Sequence, residues 1–176
     1  MCSSDLGEGV IENHQTAVAL LKMAVALNHA GAQANLAKMY ADGMGVAEDD
    51  RQAYNLFKNS AEQGYAEAQY NLGLIYESGA GIYKDFERSV HWYHKAALQG
   101  HAGAQSNLGA MYANGEGIRS NLILSYVWFT MAFNRGATDV AGEARDLITK
   151  ALTPEQLARA QEIATRCFES DYQDCE

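Results

Sequence analysis

The chain is poor in cysteine and proline, and it contains no long uninterrupted run of apolar residues. Three cysteines, Cys2, Cys167 and Cys175, are too few for a disulfide-built scaffold, and their spacing matches no zinc-ligand pattern. A membrane-spanning helix needs roughly 20 consecutive apolar residues, and no such stretch is present. We therefore expect a folded chain with no membrane insertion and no thiolate-bound metal.

Basic residues are also scarce, because 13 Lys and Arg stand against 22 Asp and Glu, giving a net charge of -9. A surface of this sign repels phosphate backbones instead of releasing their counterions. Nucleic acid is therefore excluded as an expected partner. The apolar content is ample by comparison, since 48% hydrophobic residues over 176 positions are enough to bury one continuous core.

The sequence repeats itself with a period of 36 residues. Segments that begin at His29, Tyr65 and His101 align without a gap, and nine of the 36 positions are identical in all three copies. The identical positions include one Gln, one Asn, one Leu, one Tyr and a pair of glycines. An internal repeat of this length is typical of a solenoid built from stacked supersecondary units.

Each copy predicts two amphipathic helices joined by a glycine turn. In the first copy Ala32, Leu36 and Tyr40 share one helical face, and Ala53 and Phe57 begin a second one. Two glycines follow the first helix, where a positive φ or a close backbone approach would exclude a side chain. The pairs are Gly43 with Gly45, Gly79 with Gly81, and Gly115 with Gly117.

Helix start and stop signals agree with this division. An Asp or Asn follows each glycine turn at the same register, where its side chain can accept from the free amides of the next helix. A residue that tolerates the left-handed conformation stands where that helix should end. The predicted N-caps are Asn13, Asp49, Asp85 and Asn121, and the predicted C-terminal residues are Asn28, Gly64, Gly100 and Gly136.

The motif A-x-A-Q-x-N-L-G-x-x-Y-x-x-G-x-G-I, as residues 65–100 carry it, resembles the Sel-1-like repeat of the tetratricopeptide class. The resemblance covers about residues 7–136. It implies an all-α fold, a right-handed superhelical solenoid of antiparallel helix pairs, and its style suggests a bacterial source. It also implies a scaffold that binds other proteins.

We expect one solenoid domain over residues 1–176. The glycine pair at Gly7 and Gly9 aligns with Gly43 and Gly45, so the chain opens inside a repeat whose first helix is missing, and its second helix should leave apolar residues such as Leu20 partly exposed. At the other end the repeat signature disappears, although helical spacing continues. The predicted units are a partial repeat with the second helix only (7–28), three repeats (29–64, 65–100 and 101–136), a divergent capping helix pair (137–170) and an acidic tail (171–176).

The C-terminal unit carries two further signals. Thr153, Pro154 and Gln156 form a capping-box pattern, which predicts a last helix over about residues 154–168 that covers the third repeat with an apolar side including Phe168. The acidic residues that follow predict a solvated tail. Cys167 and Cys175 either close a short loop that pins this tail, which would imply an oxidising compartment, or remain free thiols.

Few side chains suggest chemistry. Glu87, His91 and His94 lie at i, i+4 and i+7 and form the best metal candidate, but they flank a core position and no other copy repeats them. No Ser, Cys or His lies in a motif that would activate it. We therefore expect no catalytic residue, no metal, no cofactor and no small-molecule substrate. The alternative activity is a hydrolase of the cysteine-rich Sel-1-like β-lactamase type, which is disfavoured because these repeats contain no cysteine.

In stacked hairpins the first helix of each pair lines the concave side. The positions of this helix that are not needed for packing differ in every copy here. The tetratricopeptide class binds peptides at these positions, and we call them the inner face. Tyr70 and Leu74 form one apolar patch between Glu67 and Glu77, which predicts a peptide with basic and apolar residues. The predicted partner-binding residues are Ala34, Lys38, Glu67, Tyr70, Leu74, Glu77, Ser106, Ala110 and Asn114.

The function expected from these observations is a scaffold or adaptor that binds a protein or peptide on the inner face. A purely structural spacer within a longer solenoid remains an alternative. The compartment is expected to be bacterial periplasmic or extracellular, with any signal peptide missing from the sequence.

Overall fold

The computed structural model describes residues 5–175, and for residues 5–12 and 138–139 it describes the backbone alone. The predicted domain spans residues 1–176, and its two ends, residues 1–4 and residue 176, lie outside the described range. Within it the fold is a right-handed solenoid of nine α-helices without a strand, which confirms the predicted fold class. Each helix packs on the next one along the chain, except that the last, α9, packs on α7. The helices are α1 (Asp5–Ala26), α2 (Ala30–Asp42), α3 (Asp50–Glu62), α4 (Ala66–Ser78), α5 (Phe86–Ala97), α6 (Ala102–Asn114), α7 (Leu122–Asn134), α8 (Thr138–Ala151) and α9 (Pro154–Glu169).

The second helix of each complete pair begins at its predicted cap. A side-chain oxygen of Asp49 accepts from the Gln52 amide at 2.9 Å, and Asp85 accepts from the Arg88 amide at 3.0 Å. Asn121 caps α7 in the same way. These bonds satisfy amides that have no partner inside the helix, so the polar residue after each glycine turn fixes where α3, α5 and α7 start.

Histidine caps the first helix of two pairs, which the repeat pattern did not predict. Nδ1 of His29 accepts from the Ala32 amide, and Nδ1 of His101 accepts from the Ala104 amide, each at 3.2 Å. The third equivalent, Tyr65, makes no side-chain cap. The recurrence of histidine at this register therefore has a structural cause.

Glutamine side chains tie neighbouring repeats together. The buried Gln69 and Gln105 donate to the carbonyls of Ala61 and Ala97 in the preceding repeat, both at 3.1 Å. Each of these bonds satisfies the buried side-chain amide of the glutamine. The two carbonyls also accept from the backbone amides of Gly64 and Gly100. The invariance of this Gln among the copies is thus explained by its position at the seam between repeats.

A second pair of glutamine contacts closes the hairpins of the first and second repeats. Gln63 donates to Gln33 at 2.6 Å, and Gln99 donates to Gln69 at 2.7 Å. At the same register the third repeat carries Arg135, which donates to the Tyr172 hydroxyl instead. The buried Oε1 of Gln105 accordingly has no hydrogen-bond partner among the residues described.

The N-terminal helix differs from the prediction. The backbone is helical from Asp5, so Gly7 and Gly9 lie inside α1 and Asn13 does not cap it. Glycine permits a turn but does not impose one, and no helix in the described chain precedes this segment to fold back on it. Large apolar side chains of α1 are exposed, as expected for a helix without a partner on one side: Leu20 (63%), Met23 (68%) and Leu27 (84%).

The C-terminal unit confirms the capping box and corrects the prediction for the tail. Thr153 and Gln156 make both bonds of the box at the start of α9. Beyond α9, Cys167 and Cys175 form a disulfide, and Tyr172 is buried at 3% exposure. The tail is therefore packed through the ring of Tyr172 and a cross-link, although the side chains of Asp171 and Asp174 stay exposed. Phe168, expected to cover the third repeat, is instead 58% exposed.

Candidate protein-binding face

The inner face is carried by α2, α4 and α6, one helix from each complete repeat. The side chains predicted to lie on it have different surroundings, so the face is not a uniform surface. The exposed ones are Lys38, Glu67 and Asn114, and the half-buried ones are Tyr70, Leu74, Glu77, Ser106 and Ala110.

Ala34 is not available to a partner. It is 3% exposed and belongs to a core cluster with Ala37, Ala53 and Ala68. The same cluster contains residues of α3 and of α4. The prediction for this residue is wrong because Ala34 is buried in the core that these helices form.

Tyr70 is a contact between repeats. Its ring stacks on His101 with centroids 4.4 Å apart and lies 5.9 Å from the ring of Tyr93. A Cβ added to Gly103 would come within 3.1 Å of the Tyr70 ring. Burial, together with the charges of Glu67 and Glu77, raises the pKa of Tyr70. Its ring therefore supports the seam between the second and third repeats.

The two carboxylates expected to flank Tyr70 are engaged within the chain. Glu67 lies 3.0 Å from Nε2 of His101. Glu77 accepts a hydrogen bond from the hydroxyl of Tyr93, a fully buried residue. Burial and the bond to Glu77 raise the pKa of Tyr93. These two glutamates thus have partners where the sequence predicted free charges for a ligand.

Lys38 and Leu74 are brought together around a cavity of about 180 Å³. It lies between α2, α3 and α4, and we call it the inner-face cavity. Within the described chain no ion pair of Lys38, Asp42 or Asp50 is found. The residues that define it are Lys38, Ala41, Asp42, Asp50, Phe57 and Leu74.

The third copy contributes little to a continuous surface. Ala110 packs against a core cluster that contains Phe129 and Ala132, so it faces α7 and the capping unit. Ser106 is half-buried, and Asn114 is the exposed last residue of α6. These residues are not in the lining of the inner-face cavity.

The histidines considered as metal ligands contact aromatic rings. His91 lies edge-on to Trp92 with centroids 5.3 Å apart, and His94 lies edge-on to Trp128 at 5.9 Å. Burial, and then the charges of Lys95 and His94, lower the pKa of His91. Among the side chains described, no group of three or more His, Cys, Asp or Glu lies close enough to hold a metal ion.

Sequence reasoning missed two residues of the inner-face cavity, Phe57 at its floor and Asp50 at its rim. The helical pattern assigns Phe57 to a packed face, and it gives Asp50 no role. A signal is present in the repeat itself, since Phe57 aligns with Tyr93 and Ala41 aligns with Glu77. At both positions the first repeat has the smaller side chain, and both positions line the inner-face cavity.

Comparisons with known proteins place this geometry among helical repeats. A profile of the Sel1 repeat matches residues 4–29, 30–65, 66–101 and 102–136. A search of curated proteins found no match. None of the helices in residues 5–175 has the length and apolar character required to cross a bilayer.

Two solved structures are similar. The crystal structure of a Sel1 repeat protein from Oxalobacter formigenes matches with a TM-score of 0.70 and 34% identity, over 73% of this chain and 51% of that one. A protective antigen of uropathogenic Escherichia coli strains with an SLR fold matches with a TM-score of 0.60 and 25% identity, over 88% of this chain and 42% of that one. The chain thus spans about half the length of these relatives.

Proposed function

Because the chain belongs to the Sel1 repeat family, we propose that it is a scaffold or adaptor that binds a protein or peptide on the inner face. Sel1 repeat proteins are generally helical scaffolds for protein interaction. To this general role the proposal adds where a partner would bind on this chain and which side chains would contact it. It assigns no catalytic residue to this chain.

The inner-face cavity is the observation that supports this proposal best. Its rim holds Lys38, Asp42 and Asp50, three charged side chains that no ion pair within the described residues neutralises. Its floor includes Phe57 and Leu74, which offer apolar surface. A concave site with an apolar floor and a few polar groups is the usual form of a binding site, and solenoids bind along such surfaces.

The hydrolase alternative lacks the cysteine pair within each repeat that marks the cysteine-rich type, since residues 7–136 contain no cysteine. The spacer alternative has no feature of its own to support it. It predicts that the inner face can be changed without any loss of binding. The experiment that separates scaffold from spacer is therefore a test of that face.

We would select random peptides on the wild-type chain and measure their affinity for an exchange variant, Lys38→Leu/Leu74→Lys. These two positions are equivalent in the repeat, so the exchange preserves composition and net charge, and each residue is already tolerated at that register. We expect affinity to fall at least about tenfold. Lys58→Ala on α3, an exposed residue 3.9 Å from Glu62, is the control and should leave affinity unchanged. Equal binding by the exchange variant would support the spacer.

We also propose an oxidising compartment, either the bacterial periplasm or the extracellular space. The Cys167–Cys175 disulfide supports it, because disulfides persist mainly outside the cytosol. Thiol titration of the denatured protein, recovered without reductant, should find one free thiol per chain, from Cys2. Three free thiols would contradict the proposal.

A further inference from the structure

We infer that the inner-face cavity is a subsite for one arginine or lysine side chain of a bound peptide. The inference rests on the proposed function and specifies its ligand. It depends on the size of the cavity, on the charges at its rim and on a comparison with the same place in the next repeat.

The size of the cavity favours a single side chain. Its volume is about 180 Å³, below the roughly 300 Å³ at which pockets for small molecules begin. Phe57, Leu74 and Ala41 line it with apolar atoms. An extended peptide lying across α2 and α4 would therefore insert one residue here and pass its neighbours over the helices.

The charges at the rim select the kind of residue. Asp42 and Asp50 contribute two carboxylates against the single ammonium of Lys38, and the chain as a whole carries a net charge of -9. Arginine and lysine join an apolar stem to a cationic head, so the stem can lie on the floor while the head stays at the rim. A leucine would leave both carboxylates without a partner, and a glutamate would meet like charge.

The second repeat shows why this space is open. There the position of Phe57 holds Tyr93, and the position of Ala41 holds Glu77, and the two are joined by a hydrogen bond. The chain thus fills that place with its own hydroxyl and carboxylate. In the first repeat both groups are missing, and the cavity remains.

The rim charges are also specific to the first repeat. Asp42 aligns with Ser78, and Asp50 aligns with Phe86, so neither carboxylate recurs between α4 and α6. Asp50 lies in the first turn of α3. A Cβ added to Gly81 would come within 2.7 Å of Cβ of Asp50, so the glycine turn of the second repeat lies close against this residue.

The test uses peptides selected on the wild-type chain and a neutral isostere of arginine. We expect selected peptides to share one Arg or Lys, and replacement of an Arg by citrulline to weaken binding at least about tenfold. In Asp42→Asn/Asp50→Asn the same replacement should have little effect, because the charge partner is gone. Glu143→Gln/Glu162→Gln removes the same charge at exposed positions of α8 and α9 and should behave as wild type.

A second variant closes the cavity without removing charge from the rim. Ala37→Gly/Ala41→Glu/Phe57→Tyr reproduces Gly73, Glu77 and Tyr93, and we expect it to fold, because the second repeat accommodates these three residues together. It should abolish the preference for arginine over citrulline. Equal affinity for both peptides in wild type, or an unchanged preference in the closed variant, would overturn the inference.

N-acetyl-arginine amide is titrated in parallel by NMR, with N-acetyl-citrulline amide as its control. We expect the arginine probe alone to shift the amides of Ala41, Ala53 and Leu74, and these shifts to vanish in the closed variant. If the arginine probe shifts these amides but no peptide is selected on the wild-type chain, the subsite is retained and the proposed peptide scaffold is rejected. Peptides bound on the inner face without a basic residue, together with no shifts, would retain the scaffold and reject the subsite. Neither peptides nor shifts would reject both.

Discussion

The space between α2 and α4 and the space between α4 and α6 are equivalent places in one solenoid, yet one is open and the other is filled. In the second, Tyr93 reaches Glu77; in the first, Phe57 and Ala41 occupy those positions. Both repeats have the same helical hairpin around these positions. The two spaces therefore differ at two side chains, since the second repeat places a hydroxyl and a carboxylate where the first has Phe57 and Ala41.

The filled space also needs a smaller residue beside it. Gly73 lies against Tyr93 so closely that an added Cβ would be 2.5 Å from the ring. The first repeat has Ala37 at this position, buried in the same cluster as Phe57. The glycine of the second repeat thus makes room for the ring that fills it.

The largest effect should come from Gly73→Ala. Because Tyr93 is fully buried, its ring cannot move aside without disturbing the core, and we expect the unfolding free energy to fall by about 3 kcal/mol, the upper end for overpacking. Urea denaturation followed by circular dichroism measures the loss. Gly109→Ala is the matched control, since its Cβ would meet Phe129 at 3.1 Å, and it should cost less. Equal losses would mean that the two rings are equally tightly held.

Tyr93→Phe should have the next largest effect. It removes the hydroxyl that donates to Glu77, and we expect a loss of about 1.5 kcal/mol, the lower end for a hydrogen bond to a charged group, because Glu77 is only half-buried. Glu77→Ala/Tyr93→Phe reproduces the residues of the first repeat and should recover part of this loss, because no carboxylate is left without its donor. Urea denaturation measures both variants, and a double variant less stable than Tyr93→Phe would contradict the comparison.

Tyrosines of both repeats should also reduce the stability of the fold in alkaline solution. A hydrogen bond with Tyr76 is the main cause that raises the pKa of Tyr54 to about 12, and the two hydroxyls lie 3.0 Å apart. Tyrosine in an unfolded chain has a pKa near 10. A raised folded-state pKa contributes stability that is present below pH 10 and lost as the pH rises toward 12.

We therefore expect the unfolding free energy to fall between about pH 10 and 12, and that of Tyr54→Phe to fall less steeply than that of wild type. Denaturation curves measured at several pH values check this. Because burial and Glu77 raise the pKa of Tyr93, its replacement by Phe should reduce the slope as well. A slope unchanged in both variants would assign the alkaline loss to other groups.

The smallest effect is expected from Phe57→Tyr, which adds one hydroxyl at the edge of the inner-face cavity. The cavity has room for it, and Ala41 offers no carboxylate to bond it. The unfolding free energy should change by no more than about 0.5 kcal/mol. Thermal unfolding is sufficient to measure this, and a loss comparable to that of Gly73→Ala would show that the space is not open.

Local signals in the sequence were enough to predict most of the helical fold. Polar caps and left-handed residues act on their immediate neighbours, so Asp49, Asp85 and Asn121 could be placed by register alone. The exception is α1, where two glycines suggested a turn and the backbone stays helical. Where a residue permits two backbone conformations, its neighbours determine which one it adopts.

The candidate site was predicted less well, because its residues depend on contacts between repeats. Ala34 is buried in a core cluster that includes residues of the next repeat, and Tyr70 stacks on His101 of the repeat after its own. The tail shows the same dependence. Its charge pattern indicated solvation, but the ring of Tyr172 is buried through contacts with Arg135 and Gly100, which no pattern within the tail itself could indicate.

The packed tail has a consequence for how the array comes apart. In a linear stack each unit is held only by its neighbours, so melting tends to start at a terminus and spread inward. Tyr172 bonds Arg135 at the end of the third repeat and lies beside Gly100 at the end of the second, while the disulfide ties this segment to α9. The last helix therefore cannot fray alone, and the C-terminal half of the molecule should open as one cooperative block.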